Sequence, residues 1–545
     1  MFKLPIEYND HMILPIHIVG DMELLTLNES TECFENDSIF GRLFKVDNVM
    51  NKNALIKMAP IYSYDKDYLK ETQKVIKKYK SDHSMNLDAV FSKWTEIKTT
   101  TNFKDVYNYC SWTCLEFLNN NDLTLQAITI YTLVSPILSF CIPIFGLLIP
   151  FIVIKLKGGS ISCNEYCKIL KYTLRNHAIG SALSLHEGDI NKKMYSLMSI
   201  LFYIFTIYQN VMFCVRFLQN IKKIHEFLFL MRDYLELVIQ KMSLFGNIIK
   251  NYKTYIGFYN DMMKHHSVLE KIAGQLKGVQ PLQLTLGKVQ QLGYIMNLFY
   301  QFYNNKEYDT SIVFSFECIG FLNNIENFSS CIGKTIEKCK FAKSTQIKKM
   351  VYPALLEGVK NDINIDKNII ITGPNASGKT TILKSTFINI LLSQQFGYGC
   401  YKSANIKVYN YLHCYLNIPD TSGRDSLFQA EARRCKEIID CIKVNKGSHF
   451  CIFDELYSGT NPEEAVSSAT AFMNYLNKRA DCLLTTHYVE LCSSIKDMIN
   501  YKMETTEKDS NFVYTYKLVS GISRVKGGIK ILNDMNFPQE ILNDI

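Results

Sequence analysis

Residues Gly373, Pro374, Asn375, Ala376, Ser377, Gly378, Lys379 and Thr380 spell the pattern G-x-x-x-x-G-K-[ST]. The chemistry open to that spacing is capture of a nucleotide's phosphates. Glycines let the backbone curl so that successive amides face phosphate oxygens. Gly378 opens a helix whose N-terminal dipole favours an anion. Lys379 offsets β- and γ-phosphate charge, and the Thr380 hydroxyl, followed by Thr381, is the expected magnesium ligand. The expected cofactors are therefore ATP and Mg2+.

Two further constellations complete a hydrolytic set. In FCIFDE, residues 450–455, apolar residues lead into two carboxylates. A buried strand ending there aims Asp454 at the magnesium, usually through water, and leaves Glu455 to polarise the attacking water. Paired carboxylates at a strand end can also cap a helix; beside a phosphate loop they read as catalytic. LLTTH, residues 483–487, places the His487 imidazole at another strand end, near the γ-phosphate. Glu455, His487 and Lys379 are the expected catalytic residues, and Thr380 and Asp454 the expected metal ligands.

These residues need a scaffold, and the chain after about residue 350 supplies its signature. Short apolar runs (NIIITG, HFCIFDE, DCLLTTH) alternate with helical ones (TILKSTFINILL, PEEAVSSATAFMNYLNK). Asn461 is a good helix N-cap, Pro462 suits a first turn, and Glu463 and Glu464 oppose the dipole. The alternation predicts an α/β P-loop NTPase domain with a parallel-sheet core. A mostly α-helical lever or core region should precede it. The expected division is 1–122, a mixed N-terminal region; 123–218, a hydrophobic helical segment; 219–345, helical; and 346–545, the ATPase domain.

In the helical part, Ile224, Phe227, Met231, Tyr234, Val238, Met242 and Phe245 recur at steps of three and four, one face of a long amphipathic helix. Residues 66–80 form a basic helix candidate with a solvated face. The run from Leu123 to Ile154 contains no charged side chain. A bilayer span needs about 20 apolar residues, so the run is ample. A second uncharged run covers residues 194–215, and a basic segment with Lys155, Lys157, Lys168, Lys171, Arg175, Lys192 and Lys193 joins the two. Two simple spans would hold that segment in the cytosol and strand the nucleotide domain away from ATP. Pro136, Pro143 and Pro150 favour kinks, so a broken, shallow insertion fits better. The alternative is a helix pair buried in a large core.

The formal charge of +8 permits a nucleic-acid or anionic-membrane partner without demanding one. The 17 cysteines include no CxxC pair and read as free thiols in a reducing compartment. MFKLPIEYND at the start has no signal-peptide apolar core. The expected location is the cytoplasmic or nuclear side, with membrane association through 123–154 left open.

The C-terminal motifs together resemble the ATPase domain of the MutS family of DNA mismatch-repair proteins. The likeness begins at PALLEGVKNDINIDKNIIITGPNASGKTT, from Pro353, with TGPN (Thr372 to Asn375) a family hallmark. DELYSGTNPEE keeps Asp454, Glu455, Gly459 and Thr460. TTH at 485–487 is similar to the family's switch, and the stretch from Gly521 to its domain end. In SGRDSLFQAE, residues 422–431, Ser426 and Phe428 resemble the serine and phenylalanine of a segment that reaches a partner's ATP; Asp425 is extra. Leu292 to Phe328 is similar to the helices preceding the family's ATPase domain. The stretch before residue 346 is too short for separate mismatch-reading, connector, lever and clamp domains, and a terminal helix-turn-helix is expected to be missing or minimal. The resemblance implies an ATP-hydrolysing dimer, with Ser426 touching the partner's nucleotide, that moves as a clamp on duplex DNA, mismatched or branched. The alternative is a membrane-associated mechanochemical ATPase without mismatch recognition.

Overall fold

The computed structural model describes residues 2–26, 34–81, 85–158, 162–174, 190–281, 286–355, 357–416, 418, 426–495, 497–508, 511–525 and 535. Contacts divide the chain into two compact units. One comprises Met1–Asp88, Val238–His266 and Val313–Ile545; the other comprises Ala89–Leu237 and Ser267–Ile312.

The first unit carries a six-stranded sheet. Its strands are β1 (Ile369–Thr372), β2 (Tyr411–Tyr415), β3 (His449–Asp454), β4 (Asp481–Thr486), β5 (Ile499–Lys508) and β6 (Asn511–Ser520), in spatial order 6-5-1-4-3-2. All neighbours are parallel except the β5–β6 hairpin. Ile369, Ile370, Ile371 and Phe450 to Phe453 are fully buried, as strands covered on both faces must be. Register aligns Thr372 with Thr486 and Asp454 with Thr485. The carboxyl ends of β1, β4 and β3 are therefore flush, at the edge where open α/β sheets hold ligands. Helices α3 (Lys379–Phe396), α4 (Leu427–Val444) and α5 (Pro462–Leu476) pack with this sheet, along with a short helix at Val489–Ser494.

The sequence pattern gave no sign of a second, mixed sheet. Its strands run Asn361–Ile365, Thr345–Met350, Ser403–Lys407, Glu337–Ala342 and Tyr398–Gly399 across the sheet. It draws residues before 346 into the same unit as the phosphate loop.

The first 88 residues join that unit for a related reason. Helix α3 is buried almost throughout, including Thr386, Asn389, Ser393, Gln394 and Gln395. Buried amides need partners, and N-terminal backbone supplies them. Gln395 Nε2 donates to Met58 O, Ala59 O and Ile61 O at 3.2, 2.9 and 2.9 Å. Gln394 Nε2 donates to Ser63 O at 3.1 Å, and Lys384 pairs with Glu23 at 2.9 Å. The division expected from composition runs along the chain, whereas these contacts group segments far apart in it.

The second unit is helical. Helix α1 spans Asp122–Leu156, and α2, which spans Ile190–Ile249, crosses the unit boundary. The seven apolar positions from Ile224 to Phe245 are all buried, so the predicted face exists. Lys66–Lys78 is likewise helical.

The prolines of α1 do not break it, and this corrects the expected interruption. Proline removes the donor to the carbonyl four residues back. For Pro136 that carbonyl is Thr132 O, which accepts from Ser135 Oγ at 3.0 Å. For Pro143 it is Ser139 O, which accepts from Tyr203 OH of α2 at 3.3 Å. Hydroxyls thus replace missing amides, as in helices that cross bilayers. Nor is the pair buried in a core. Only 28% of the most apolar window in Asp122–Cys141 is buried, and none of that in Lys193–Ile249. Both helices are long and apolar enough to cross a membrane.

Candidate nucleotide site

The phosphate loop leaves β1 at Thr372, whose hydroxyl donates to Tyr501 O at 3.2 Å and accepts from Ser523 N at 2.8 Å. Gly378 (φ 96°) turns the chain into α3; only glycine holds that conformation without strain. A Cβ on Gly373 would lie 2.8 Å from Ser377 Oγ and 3.0 Å from Met503 Cβ, so the curl is also a packing requirement. The Ser377 hydroxyl donates to Pro374 O at 2.7 Å and fixes the loop internally.

Lys379 lies over this curl. Its ammonium donates to Gly373 O at 3.0 Å and Pro374 O at 3.3 Å. Burial pulls its pKa below the ordinary lysine value, opposed by Glu455 and Asp454. Glu455 Oε1 lies 3.6 Å from Lys379 Nζ and 2.7 Å from His487 Nε2. His487 Nε2 is also 3.1 Å from Lys379 Nζ. One nitrogen cannot serve both neighbours in the same way: protonated, it donates to Glu455; unprotonated, it accepts from Lys379. The His487 hydrogen bond, aided by Lys379, holds the Glu455 carboxyl below its usual range despite burial.

Glu455 reaches this position through its backbone. It has φ 52°, a left-handed conformation rare for non-glycine residues and concentrated at functional sites. The turn swings its side chain off the line of β3, while its N–H donates to Thr485 O at 3.1 Å. Asp454, one residue earlier, accepts from the Thr380 hydroxyl at 2.7 Å and from the Thr485 hydroxyl. A hydroxyl beside a carboxylate is the hard-oxygen donor pair that suits Mg2+, so Thr380 and Asp454 fit the ion.

A cavity of about 530 Å³ opens beside the loop, within the few-hundred to 1,000 Å³ range of ligand clefts. Asn375, Ala376, Gly378, Lys379, Thr380 and Thr381 all line it, as does Glu455. So do Met503 and Tyr516 from the β5–β6 hairpin, which sequence reasoning missed because no motif surrounds them. Ser426 does not line it. It caps α4, its hydroxyl accepting from Gln429 N at 3.3 Å. Asp425 and the three residues before it lie outside the described residues, as does most of the stretch after Gly521.

Glu431 was also missed. It is 2% exposed, and its carboxylate accepts from Ser458 N (3.0 Å), Ser458 Oγ (2.9 Å) and Gly459 N (3.2 Å). The loop after Glu455 is thereby fastened to α4. A Cβ on Gly459 would come 2.8 Å from Phe428 N, so this junction is tight. The available signal was an acid on the stripe that Cys435 and Ile438 continue inward.

A family model described as MutS domain V matches residues 369–545. DNA mismatch repair protein MutS of Fusobacterium nucleatum subsp. nucleatum is 32% identical over 195 residues, 34% of this chain and 21% of that protein. The proteins of the same name from Orientia tsutsugamushi (strain Ikeda) and Streptococcus mutans serotype c are 28% and 27% identical over 215 and 197 residues, 37% and 34% of this chain and 23% of each relative. The match thus spans less than a quarter of these relatives' length. MutS domain V is an ATPase domain of the P-loop type. Over residues 369–545 the chain therefore carries a domain similar to the C-terminal ATPase domain of the MutS family.

Proposed function

We propose that the chain hydrolyses ATP and couples that cycle to a dimer clamp on DNA, in mismatch repair or related DNA maintenance. The observation that carries this is the convergence of Lys379, Thr380, Asp454, Glu455 and His487 at one sheet edge, reached from three strands. Thr380 and Asp454 would hold Mg2+, which when bound neutralises phosphate charge. Lys379 would grip the phosphates, Glu455 would polarise water, and His487 would report the γ-phosphate. Glu431 gives the movement a route, because α4 and the loop after Glu455 must shift together. Ser426, at the start of α4, would meet the nucleotide of a second chain. MutS-family proteins bind DNA and act as dimers, and the net charge of +8 is compatible with a polyanion. The setting is the cytoplasmic or nuclear side, where ATP is present and thiols stay reduced.

The test is the ATPase rate of the full chain alone and with perfect, mismatched or branched duplex. A several-fold change with at least one duplex is expected, fading as salt rises because bound phosphates release counterions. A rate indifferent to every DNA tested would remove the DNA role and leave the ATPase.

One observation favours a second reading, a membrane-associated mechanochemical ATPase. Ile137, Phe140 and Phe202 are 64, 65 and 73% exposed on the α1–α2 pair, which sequesters two of its proline-freed carbonyls internally. Lipid is the solvent such a surface suits. The intact chain should float with liposomes after a high-salt wash. Lysine at these three positions should release it, since exposed sites tolerate the change. An intact chain left in the salt wash would end the idea.

A further inference from the structure

We propose that His413, Cys441 and His449 form a binding site for a borderline or soft metal ion, with zinc the expected occupant. The donor atoms of these three side chains lie within 4.8 Å of one another. They come from three elements: His413 from β2, His449 from the first residue of β3, and Cys441 from the last turn of α4. His413 Nε2 and His449 Nδ1 face each other at 3.0 Å. Two nitrogens bound to one tetrahedral zinc at about 2.0–2.1 Å stand about 3.3 Å apart, so the pair already stands near ligand spacing, and a small rotation of the rings would aim both lone pairs at one ion.

The surroundings resemble an outer shell rather than an accidental cluster. His449 Nε2 donates to Asn445 O at 3.2 Å, which leaves Nδ1 with its lone pair directed at His413. Metal-bound histidines characteristically give their second N–H to a carbonyl or carboxylate in this way. Asn445 serves the sulfur as well, its side-chain amide donating to Cys441 Sγ at 3.3 Å. The Tyr411 ring stacks on His449 with centroids 4.8 Å apart and walls one side. Imidazole with thiolate selects zinc or copper(I) over magnesium or calcium. Three protein ligands leave a tetrahedral ion one position for solvent.

The site is separate from the nucleotide pocket. His449 and Asp454 are opposite ends of one strand, about 17 Å apart at about 3.3 Å per residue. Its consequence is mechanical. An ion there pins the C-terminal end of α4, the helix that carries Ser426 and Glu431 at its other end.

The test uses the full chain, purified without chelator and desalted. Elemental analysis should find about one equivalent of zinc per chain; one of copper would identify the alternative ion of the same site. Cobalt(II) exchanged into it should give a thiolate charge-transfer band. Cys441→Ser should abolish that band, and His413→Asn or His449→Asn should lower metal content at least tenfold. Cys441 is only half-buried, so its serine variant separates lost ligation from lost folding, checked by an unchanged circular-dichroism spectrum. A folded chain that takes up none of the three metals would overturn the proposal, as would a cobalt band that survives Cys441→Ser.

Discussion

Glu455→Gln should bind ATP at least as tightly as the unaltered chain while turning it over about 10²–10⁴-fold more slowly, the range that general-base catalysis contributes. Both halves follow from the geometry. Glutamine keeps an acceptor oxygen near Lys379 and His487, 3.6 and 2.7 Å from the present carboxylate, so the left-handed turn at 455 keeps its packing. It loses the negative charge that competes with phosphate for the Lys379 ammonium. Because the hydrogen bond from His487 lowers the Glu455 pKa, the wild-type group is ionised across neutral pH and its loss is felt throughout. Nucleotide affinity by calorimetry and single-turnover hydrolysis separate the two effects. Turnover within a few-fold of wild type would mean that another group activates the water.

How much of this was readable beforehand depended on whether the relevant contacts are local. The phosphate loop, the β3 carboxylates and the β4 histidine were legible because each is set by covalent spacing along one strand and its exit turn. Their meeting followed from parallel register, which the alternation of elements implies. The second sheet was illegible because its strands pair across long separations, Cys339 with Ala404 and Ile347 with Ala404 among them. The boundary expected near 345 could not anticipate that Gln394 and Gln395 find partners in residues 58–63. Prolines in α1 were read by the rule for isolated helices. The rule was overridden by Ser135, a neighbour in sequence, and by Tyr203, which is not. A search for CxxC pairs is likewise blind to the cluster of Cys441 with His413 and His449, because its members arrive on one helix and two strands.

Lys379→Ala should all but abolish nucleotide binding and, with it, hydrolysis. The side chain is 5% exposed and its charge is balanced by Glu455. With nucleotide bound, the ammonium and the phosphates it faces form the buried pair; deleting one member of such a pair costs about 3–5 kcal/mol, and each 1.4 kcal/mol is tenfold in affinity, so Kd should rise by about 10²–10⁴-fold. The loss has two sources. The phosphates lose their counter-charge, and Gly373 O and Pro374 O lose the donor that holds the curl. Lys379→Arg tests them apart. It restores charge, but its planar fork replaces a compact ammonium, so only partial recovery is expected. A melting curve guards against simple unfolding, because Lys379 starts the buried helix α3. If the alanine variant bound ATP within a few-fold of wild type while folded, the triphosphate could not lie between this loop and the carboxylates of β3. Glu455→Gln moves affinity in the opposite direction at the same site, so the two substitutions together distinguish a phosphate grip from a general loss of structure.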